Sequence, residues 1–510
     1  MPITQQGALN TTALVVPDVY VQIVPPAVAN LNGVPTNMLG VVGTATWGPV
    51  NKPVIISSMA DYNAAFGALQ NRLFDMGTHV AIAVQQGANN FRCVRVTDGT
   101  DTAATASIEN IAFSALYTGS SGNNLTITIT QGGKPNAWTV IVGMPGQQPE
   151  QFSNITGTGT EFWANVASAI NQGQGALRGP SQFVSVTTNA QAGAPSAQTV
   201  TLSGGTDGAA NATAQLLLGQ NETGTTGMYA LSGTGCSVAV LADVTDPTTL
   251  TTQAAFGLAQ GMYMIGTLTA GTPVETAVTL MQTNTPDSYA VKVMHGDWLY
   301  WWDQVNGLNR LVSPAAFVAG RLANLSPEQS TLNKPLYSII GSQTFGLPGT
   351  ATASHYADAD LQALFEVGLD VITNPIPAGT MWGVRGGFNS SLAAGTNGDN
   401  YTRLTNYLAS TLNAGMGVYI GRTINSTLFG NIRATLLSFL NNLLDQGLLG
   451  SSNGSLPYSV ICDATNNPAS RTALGYVQAD VQVRYQAINQ AFIINLEGGQ
   501  TVTIAQQTTN

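Results

Sequence analysis

Residues 238–294 read VAVLADVTDPTTLTTQAAFGLAQGMYMIGTLTAGTPVETAVTLMQTNTPDSYAVKVM. Three short apolar runs, 238–241, 262–265 and 289–294, alternate with two longer segments, 247–260 and 273–281, whose proline starts and apolar spacing predict helices. Parallel neighbours must be joined by crossovers, and helices are the usual crossover, so a strand-helix-strand-helix-strand order predicts a parallel sheet covered by helices. The expected fold class is therefore mixed α/β, with a core of parallel or mixed sheets and helices.

Working upstream, apolar runs at 13–16 and 20–24 are separated by Pro17-Asp18 and stopped by Pro25-Pro26, which reads as extended chain. Further strands are expected at 39–42, 54–56 and 91–96, with helices at 61–69 and 75–86. Residues 98–207 change character to Thr, Gly, Ser and Asn, with strands such as 125–130 and 138–142 and one helix near 162–170. A Gly-Gly-Thr-Asp-Gly run at 204–208 closes this segment, which reads as an inserted β-rich domain.

Downstream, a helix at 358–369 feeds a strand at Val371-Ile372, and another strand is expected at 418–420. The longest helix spans 427–445, where Leu428, Ile432, Leu436, Phe439, Leu440 and Leu443 recur near the helical period. Its other face reads as uncharged Ser, Asn and Thr, unlike the basic face of a membrane-surface helix. From 477 to 485 the odd positions Val477, Ala479, Val481, Val483 and Tyr485 are apolar and the even ones polar, the pattern of a strand with one buried face. Residues 492–496 and 501–505 add two more strands. A strand so near a chain end needs a partner for its backbone groups.

Only 8 % of the 510 residues are charged while 44 % are hydrophobic, so a charged, solubilising coat is largely missing and much of the surface is expected to meet protein. The net charge of −10 leaves no basic surplus for phosphate, which argues against nucleic acid as a partner. Residues 1–10 have no basic n-region and no apolar core, and no stretch is long enough to span a bilayer, so a cytosol-like compartment is expected. Cys93, Cys236 and Cys462 lie far apart with no CxxC pair, and read as buried small hydrophobes.

No catalytic or cofactor constellation emerges. His79, His295 and His355 are scattered; His295-Gly296-Asp297 and His355 with Asp358 and Asp360 are the best metal candidates, and Asp358 reads better as a helix cap. Gly173-Gln174-Gly175 lacks the P-loop Lys, and Ser120-Ser121 follows no convincing strand for a nucleophile elbow. Trp298, Tyr300, Trp301 and Trp302 are read as core or interface in preference to a sugar or base platform. The chain is expected not to be an enzyme, with no cofactor and no metal.

Several segments in order resemble the sheath proteins of contractile phage tails and related injection systems. They are Pro17-Asp18-Val19-Tyr20-Val21, Val41-Val42-Gly43-Thr44-Ala45 with Trp47-Gly48-Pro49, and Leu125 after Ser121-Gly122-Asn123-Asn124. Gly204 to Gly208, Ser313-Pro314 with Val318-Ala319-Gly320-Arg321, and Trp382-Gly383-Val384-Arg385 complete the series. Where many sheaths have Glu-Pro-Asn before the long helix, this chain has Thr423-Ile424-Asn425, and Arg385-Gly386 replaces their Arg-Thr.

The resemblance implies an N-terminal arm (1–18), an α/β domain in two parts (19–98 and 209–345), an inserted β-rich outer domain (99–208), an inner C-terminal domain (346–496) and a C-terminal arm strand (497–510). It also implies a subunit of stacked hexameric rings around an inner tube, located in a virion tail assembled in the host cytoplasm and contracting to drive the tube through the host envelope. Implied partners are further copies, the tube protein, and baseplate and tail terminator proteins, with no nucleic acid or membrane contact. Leu14, Val15, Val16, Thr501, Val502, Thr503, Ile504 and Ala505 become expected inter-subunit strands, and Val477, Val481, Val483, Phe492 and Ile494 the expected receiving sheet. The alternative is a secreted or surface adhesive protein that binds through its insert.

Overall fold

The computed structural model describes residues 3–4, 21–22, 31–109, 111–188, 193–222, 224–349, 355–451, 453–496 and 498. The first elements are β1 (Ile3–Thr4), β2 (Val21–Gln22), β3 (Leu39–Gly43), β4 (Pro53–Ile56), α1 (Met59–Phe66), α2 (Met76–Gln85) and β5 (Phe91–Arg95). Next come β6 (Thr105–Ile108), β7 (Ile111–Ala115), β8 (Thr126–Gln131), β9 (Trp138–Gly143), β10 (Glu150–Ile155), α3 (Gly159–Gln172), β11 (Val184–Thr187) and β12 (Gln198–Thr201). The central stretch holds α4 (Ala214–Leu218), β13 (Val238–Leu241), α5 (Leu250–Gln260), β14 (Tyr263–Thr267), α6 (Val274–Asn284), β15 (Val291–Met294), β16 (Leu299–Asp303), β17 (Leu308–Val312), α7 (Pro314–Asn324) and β18 (Ile339–Ser342). The rest comprises α8 (Asp358–Glu366), β19 (Leu369–Asp370), β20 (Ile372–Thr373), β21 (Gly383–Val384), α9 (Asp399–Gly415), α10 (Ser426–Asp445), β22 (Tyr458–Ile461), α11 (Ala469–Thr472) and β23 (Asp480–Val483).

Seven strands form the central sheet in the order β19-β15-β14-β13-β3-β5-β4, parallel throughout except for β4. Both faces are covered, which is why its strands are almost continuously buried. Leu39, Val41, Val238, Val240, Tyr263 and Ile265 point to one side, where α1, α2 and α7 bring Tyr62, Phe66, Val80, Phe317 and Leu322. Val42, Ala239, Leu241, Met264, Val291 and Val293 point to the other, against Leu217, Leu250, Phe256, Met281 and Leu364 of α4, α5, α6 and α8. The sheet takes its edge strand β19 from beyond residue 346, so the α/β core draws on sequence from both sides of that expected boundary.

The Thr- and Gly-rich segment builds two antiparallel sheets, β10-β9-β8-β12 and β11-β7-β6, around a separate core with α3. The chain leaves the central sheet and returns to it side by side. Asp98 N donates to the Gly208 carbonyl at 2.7 Å, and Thr102 bridges Thr206. Arg95, the last residue of β5, clamps this junction by donating to the carbonyls of Gly48, Thr118 and Asp207.

Several expectations need correction. The strand expected at 418–420 is instead a 3-10 turn at Met416–Tyr419, closed by a local bond from Ile420 N to the Gly417 carbonyl at 3.1 Å. Val371-Ile372 is split, since Val371 N binds its neighbour Asp370 Oδ1 at 2.8 Å and the chain passes there from β19 in one sheet to β20 in another. Helix α8 is capped by Asp360, which accepts from Ala357 N at 3.2 Å, and not by Asp358. Helices α7 and α9 are additional to those expected.

Candidate assembly interface

The C-terminal unit rests on α10. Asn425 caps it by accepting from Leu428 N at 2.8 Å, and the six periodic apolar residues all face inward. Against them lie Tyr458 and Val460 of β22, with Val477, Ala479, Val481, Val483 and Tyr485 packed alongside. The alternation read over 477–485 is therefore the side-chain pattern found, although the paired strand is only Asp480–Val483. The exposed face of α10 also carries Arg433 and Asp445, so it is not wholly uncharged.

β22 and β23 form a two-stranded antiparallel sheet, with Tyr458 opposite Val483 and Val460 opposite Val481. Arg484 N donates to the Pro457 carbonyl at 2.7 Å, which sets the parity of the ladder. Ser459 with Gln482 and Ile461 with Asp480 exchange bonds inward, while Tyr458, Val460, Val481 and Val483 turn their N–H and C=O groups to the outer edges. No other described strand pairs with either edge. A lone two-stranded sheet with apolar residues on one face and two open edges is a template for strand addition.

The tail beyond β23 is held as far as Gln486, whose carbonyl accepts from Asn400 Nδ2 at 3.1 Å, while the Tyr485 hydroxyl lies 3.1 Å from Thr405 Oγ1. Residues 487–496 then run without helix or strand. Phe492 and Ile494, expected in the receiving sheet, are 80 % and 73 % exposed and pair with nothing described; Val481 and Val483 are in β23, and Val477 lies three residues before its start. The expected strand at 492–496 is thus absent within one chain. Leu14 to Val16 and Thr501 to Ala505 lie outside the described residues. Half of the large hydrophobic side chains that are exposed among the described residues lie beyond residue 415, including Val418, Ile420, Leu474 and Tyr476. Apolar exposure therefore concentrates in the C-terminal part of the chain that contains this small sheet, as expected of a surface that is covered in an assembly.

The place where an α/β sheet usually binds ligand is filled by the chain itself. Strand order reverses between β3 and β13, and the crevice at their carboxyl ends is the expected ligand position. The loop before α2 plugs it: Thr44 N donates to the Phe74 carbonyl at 2.7 Å, Met76 N to the Thr44 carbonyl at 3.0 Å, and Phe74 N to Asp243 Oδ2 at 3.1 Å. Asp297, from the best metal candidate, is occupied by donors from Ser342, Thr344 and Tyr356. No group of three His, Cys, Asp or Glu among the described residues is arranged to hold a metal ion. Trp298 and Trp301 are buried and donate to the Leu268 carbonyl and Gln85, whereas Trp302 is half exposed. All three cysteines are buried.

Solved structures of low sequence identity share this architecture. The sheath tail protein of Desulfitobacterium hafniense aligns at a TM-score of 0.58 with 14 % identity, covering 87 % of this chain and 93 % of its own. That of Listeria innocua aligns at 0.60 with 14 % identity, covering 84 % and 89 %. The sheath of an extracellular contractile injection system, solved in its contracted state, aligns at 0.55 with 12 % identity over 96 % of this chain and 99 % of its own. The chain has the sheath-protein fold. No family model and no curated protein sequence matches it.

Two glycines in the stretches that resemble sheath sequences have physical reasons within this fold. Gly48 has φ +95°, and a Cβ there would strike the Ala65 carbonyl oxygen; Gly320 on α7 touches α2, where a Cβ would sit 2.5 Å from Ala83 Cα. Sequence reasoning missed a buried ionic network that ties the sheath fold's central sheet to α9. Lys292 Nζ, fully buried in β15, meets Asp370 Oδ2 at 2.6 Å, Asp399 Oδ1 at 3.1 Å and the Phe388 carbonyl at 2.8 Å. Asp399 also accepts from the Tyr263 hydroxyl at 2.6 Å and from Thr331, and Asp370 takes the backbone N–H groups of Gly386, Gly387 and Phe388. Burial alone would raise Asp399, but Lys292, Thr331 and Tyr263 outweigh it and hold the carboxyl below its usual range. Burial would likewise depress Lys292, and the two aspartates override it. The available signal was a lysine inside the apolar run Val291-Lys292-Val293-Met294, a position that demands a buried counter-ion.

Proposed function

We propose that this chain is the structural subunit of a contractile tail sheath. The observation that carries the proposal is a charge-poor chain with the sheath-protein fold whose small β22–β23 sheet has no further strand paired to either edge among the described residues. In this reading residues Leu14 to Val16 and Thr501 to Ala505 of neighbouring copies add strands to those edges. Main-chain bonds then supply cohesion, and the 477–485 alternation supplies register. Copies assemble as stacked hexameric rings around an inner tube, and rigid-body rotation of subunits contracts the lattice and drives the tube through the host envelope. The energy resides in the extended lattice, so no nucleotide or other cofactor is required.

Further copies, the tube protein, baseplate and tail terminator proteins are the partners in this scheme, and the particle is a virion tail or related injection device assembled in the host cytoplasm. Nucleic acid and membrane are not direct partners. The five sequence units proposed above follow the same scheme, with the insert on the outer surface and the C-terminal unit toward the tube. A catalytic role is disfavoured by the plugged switch-point crevice. Removing the residues after Gly499 should leave a folded monomer that forms no tubes or stacked rings by negative-stain electron microscopy. Normal polymers from that truncation would overturn the strand-addition reading.

A further inference from the structure

A cavity of about 270 Å³ lies between α8, the β20–β21 pair and the loop after β18. Part of its wall is aromatic. Phe345 meets Trp382 edge to face at 5.3 Å and 74°, and meets His355 at 5.3 Å and 64°, and all three rings line the cavity. Asp297, also in the lining, is already satisfied by donors from Ser342, Thr344 and Tyr356. Trp382 and Arg385 flank β21, and the sheath reading gives neither side chain a task.

Three polar side chains of the lining remain free. Asp358 at the start of α8, Asn374 just after β20, and Arg385 make no hydrogen bond or ion pair among the described residues, and each keeps part of its surface accessible. A carboxylate only accepts hydrogen bonds, a guanidinium only donates them, and an amide does both. An anion would be repelled by Asp358 and a cation by Arg385. The set therefore fits a neutral molecule whose polar groups accept and donate together, as hydroxyls do. The aromatic wall asks in addition for an apolar face. A sugar ring offers both, with C–H groups on one face and hydroxyls around its rim. At roughly 30 Å³ per water, the cavity holds the equivalent of about nine waters, which is room for one such ring and not for a chain of them.

We propose that this cavity binds a single sugar ring, stacked against Trp382 and Phe345, with Arg385 donating to its hydroxyls and Asp358 accepting from them. The site does not depend on the sheath reading. Saturation-transfer NMR on the full chain, with glucose, galactose, mannose, rhamnose and N-acetylglucosamine as probes, should show saturable binding of at least one, with a Kd of about 1–10 mM. Asp358→Ala and Arg385→Ala remove side chains that hold nothing else, so both variants should fold with an unchanged thermal unfolding midpoint. Each should bind the same sugar at least about tenfold more weakly, the value of one hydrogen bond to a charged group. Absence of a saturable response from all five sugars, or an affinity unchanged in either folded variant, would overturn the proposal.

Discussion

Asp75 caps α2 through Oδ2, which accepts from Thr78 N at 2.8 Å and from its hydroxyl at 2.7 Å, while Oδ1 is buried without a partner. Burial pushes its carboxyl up from 3.8 to about 6. The folded chain therefore binds a proton more tightly than the unfolded one does, and this contribution is fully present below 3.8 and lost as pH rises through about 6. Its size is about 3 kcal/mol at most, because a carboxyl whose affinity for the proton rises tenfold on folding gains roughly 1.4 kcal/mol for each such factor. Asp75→Asn keeps a good N-cap and cannot ionise, so urea unfolding should show a flatter stability profile between about pH 4 and 6 and a gain of about 1 kcal/mol at about pH 7.5. A profile parallel to that of the unmodified chain would refute the assignment. Lys292 differs in that its charged form is the one the fold favours. Lys292→Met strands two buried carboxylates and should cost about 3–5 kcal/mol near neutral pH, read as a lower urea midpoint. Acidification that protonates Asp399 should recover part of that loss, whereas in the unmodified chain the depressed carboxyl makes stability fall at low pH.

Among the elements, α2 and α7 cross where Gly320 meets Ala83, at a separation that leaves no room for a methyl group. Alanine is the better helix former by about 1 kcal/mol, yet Gly320→Ala should destabilise the chain by about 1–3 kcal/mol because the helices must move apart. Calorimetry would show a lower melting temperature; an increase would mean that the contact is loose. The same pair shows what sequence could and could not reveal. Amphipathic α10 and the strand-helix alternation from 238 to 294 were legible because each buries one face or one layer against a contrasting one. Helix α7 was not, since nine of its eleven residues are buried and no polar face marks its period. Helix α9 failed for the reverse reason: Asp399, Asn400, Thr402, Arg403 and Asn406 are among its buried residues, so its inward face looks polar. The Lys292 network stayed hidden because its three members are brought together only by the chain's tertiary path. In the tail, the alternation of 477–485 revealed which side chains face α10, but 492–496 has strand-forming residues and no strand partner among the described residues.

For the molecule as a whole, surface chemistry favours association. A 510-residue chain with 42 formally charged side chains and apolar exposure gathered at one end has few means of discouraging contact with its own copies. Phe492 and Ile494 test whether that contact is specific, because they are largely exposed and contribute little to the isolated fold. Phe492→Asp with Ile494→Asp should therefore shift monomer stability by no more than about 0.5 kcal/mol. If these side chains are buried when copies associate, each is worth roughly 1.5–3 kcal/mol per contact, so the pair should raise the critical concentration for assembly on the order of a hundredfold or more. Sedimentation across a concentration series, with electron microscopy of the pellets, measures that shift. General stickiness would predict a different result, since two new charges would then reduce amorphous aggregation and leave ordered polymers unchanged. An unaltered critical concentration with ordered polymers would exclude the 487–496 segment from the links between copies and leave the open edges of β22 and β23 to be filled by some other segment.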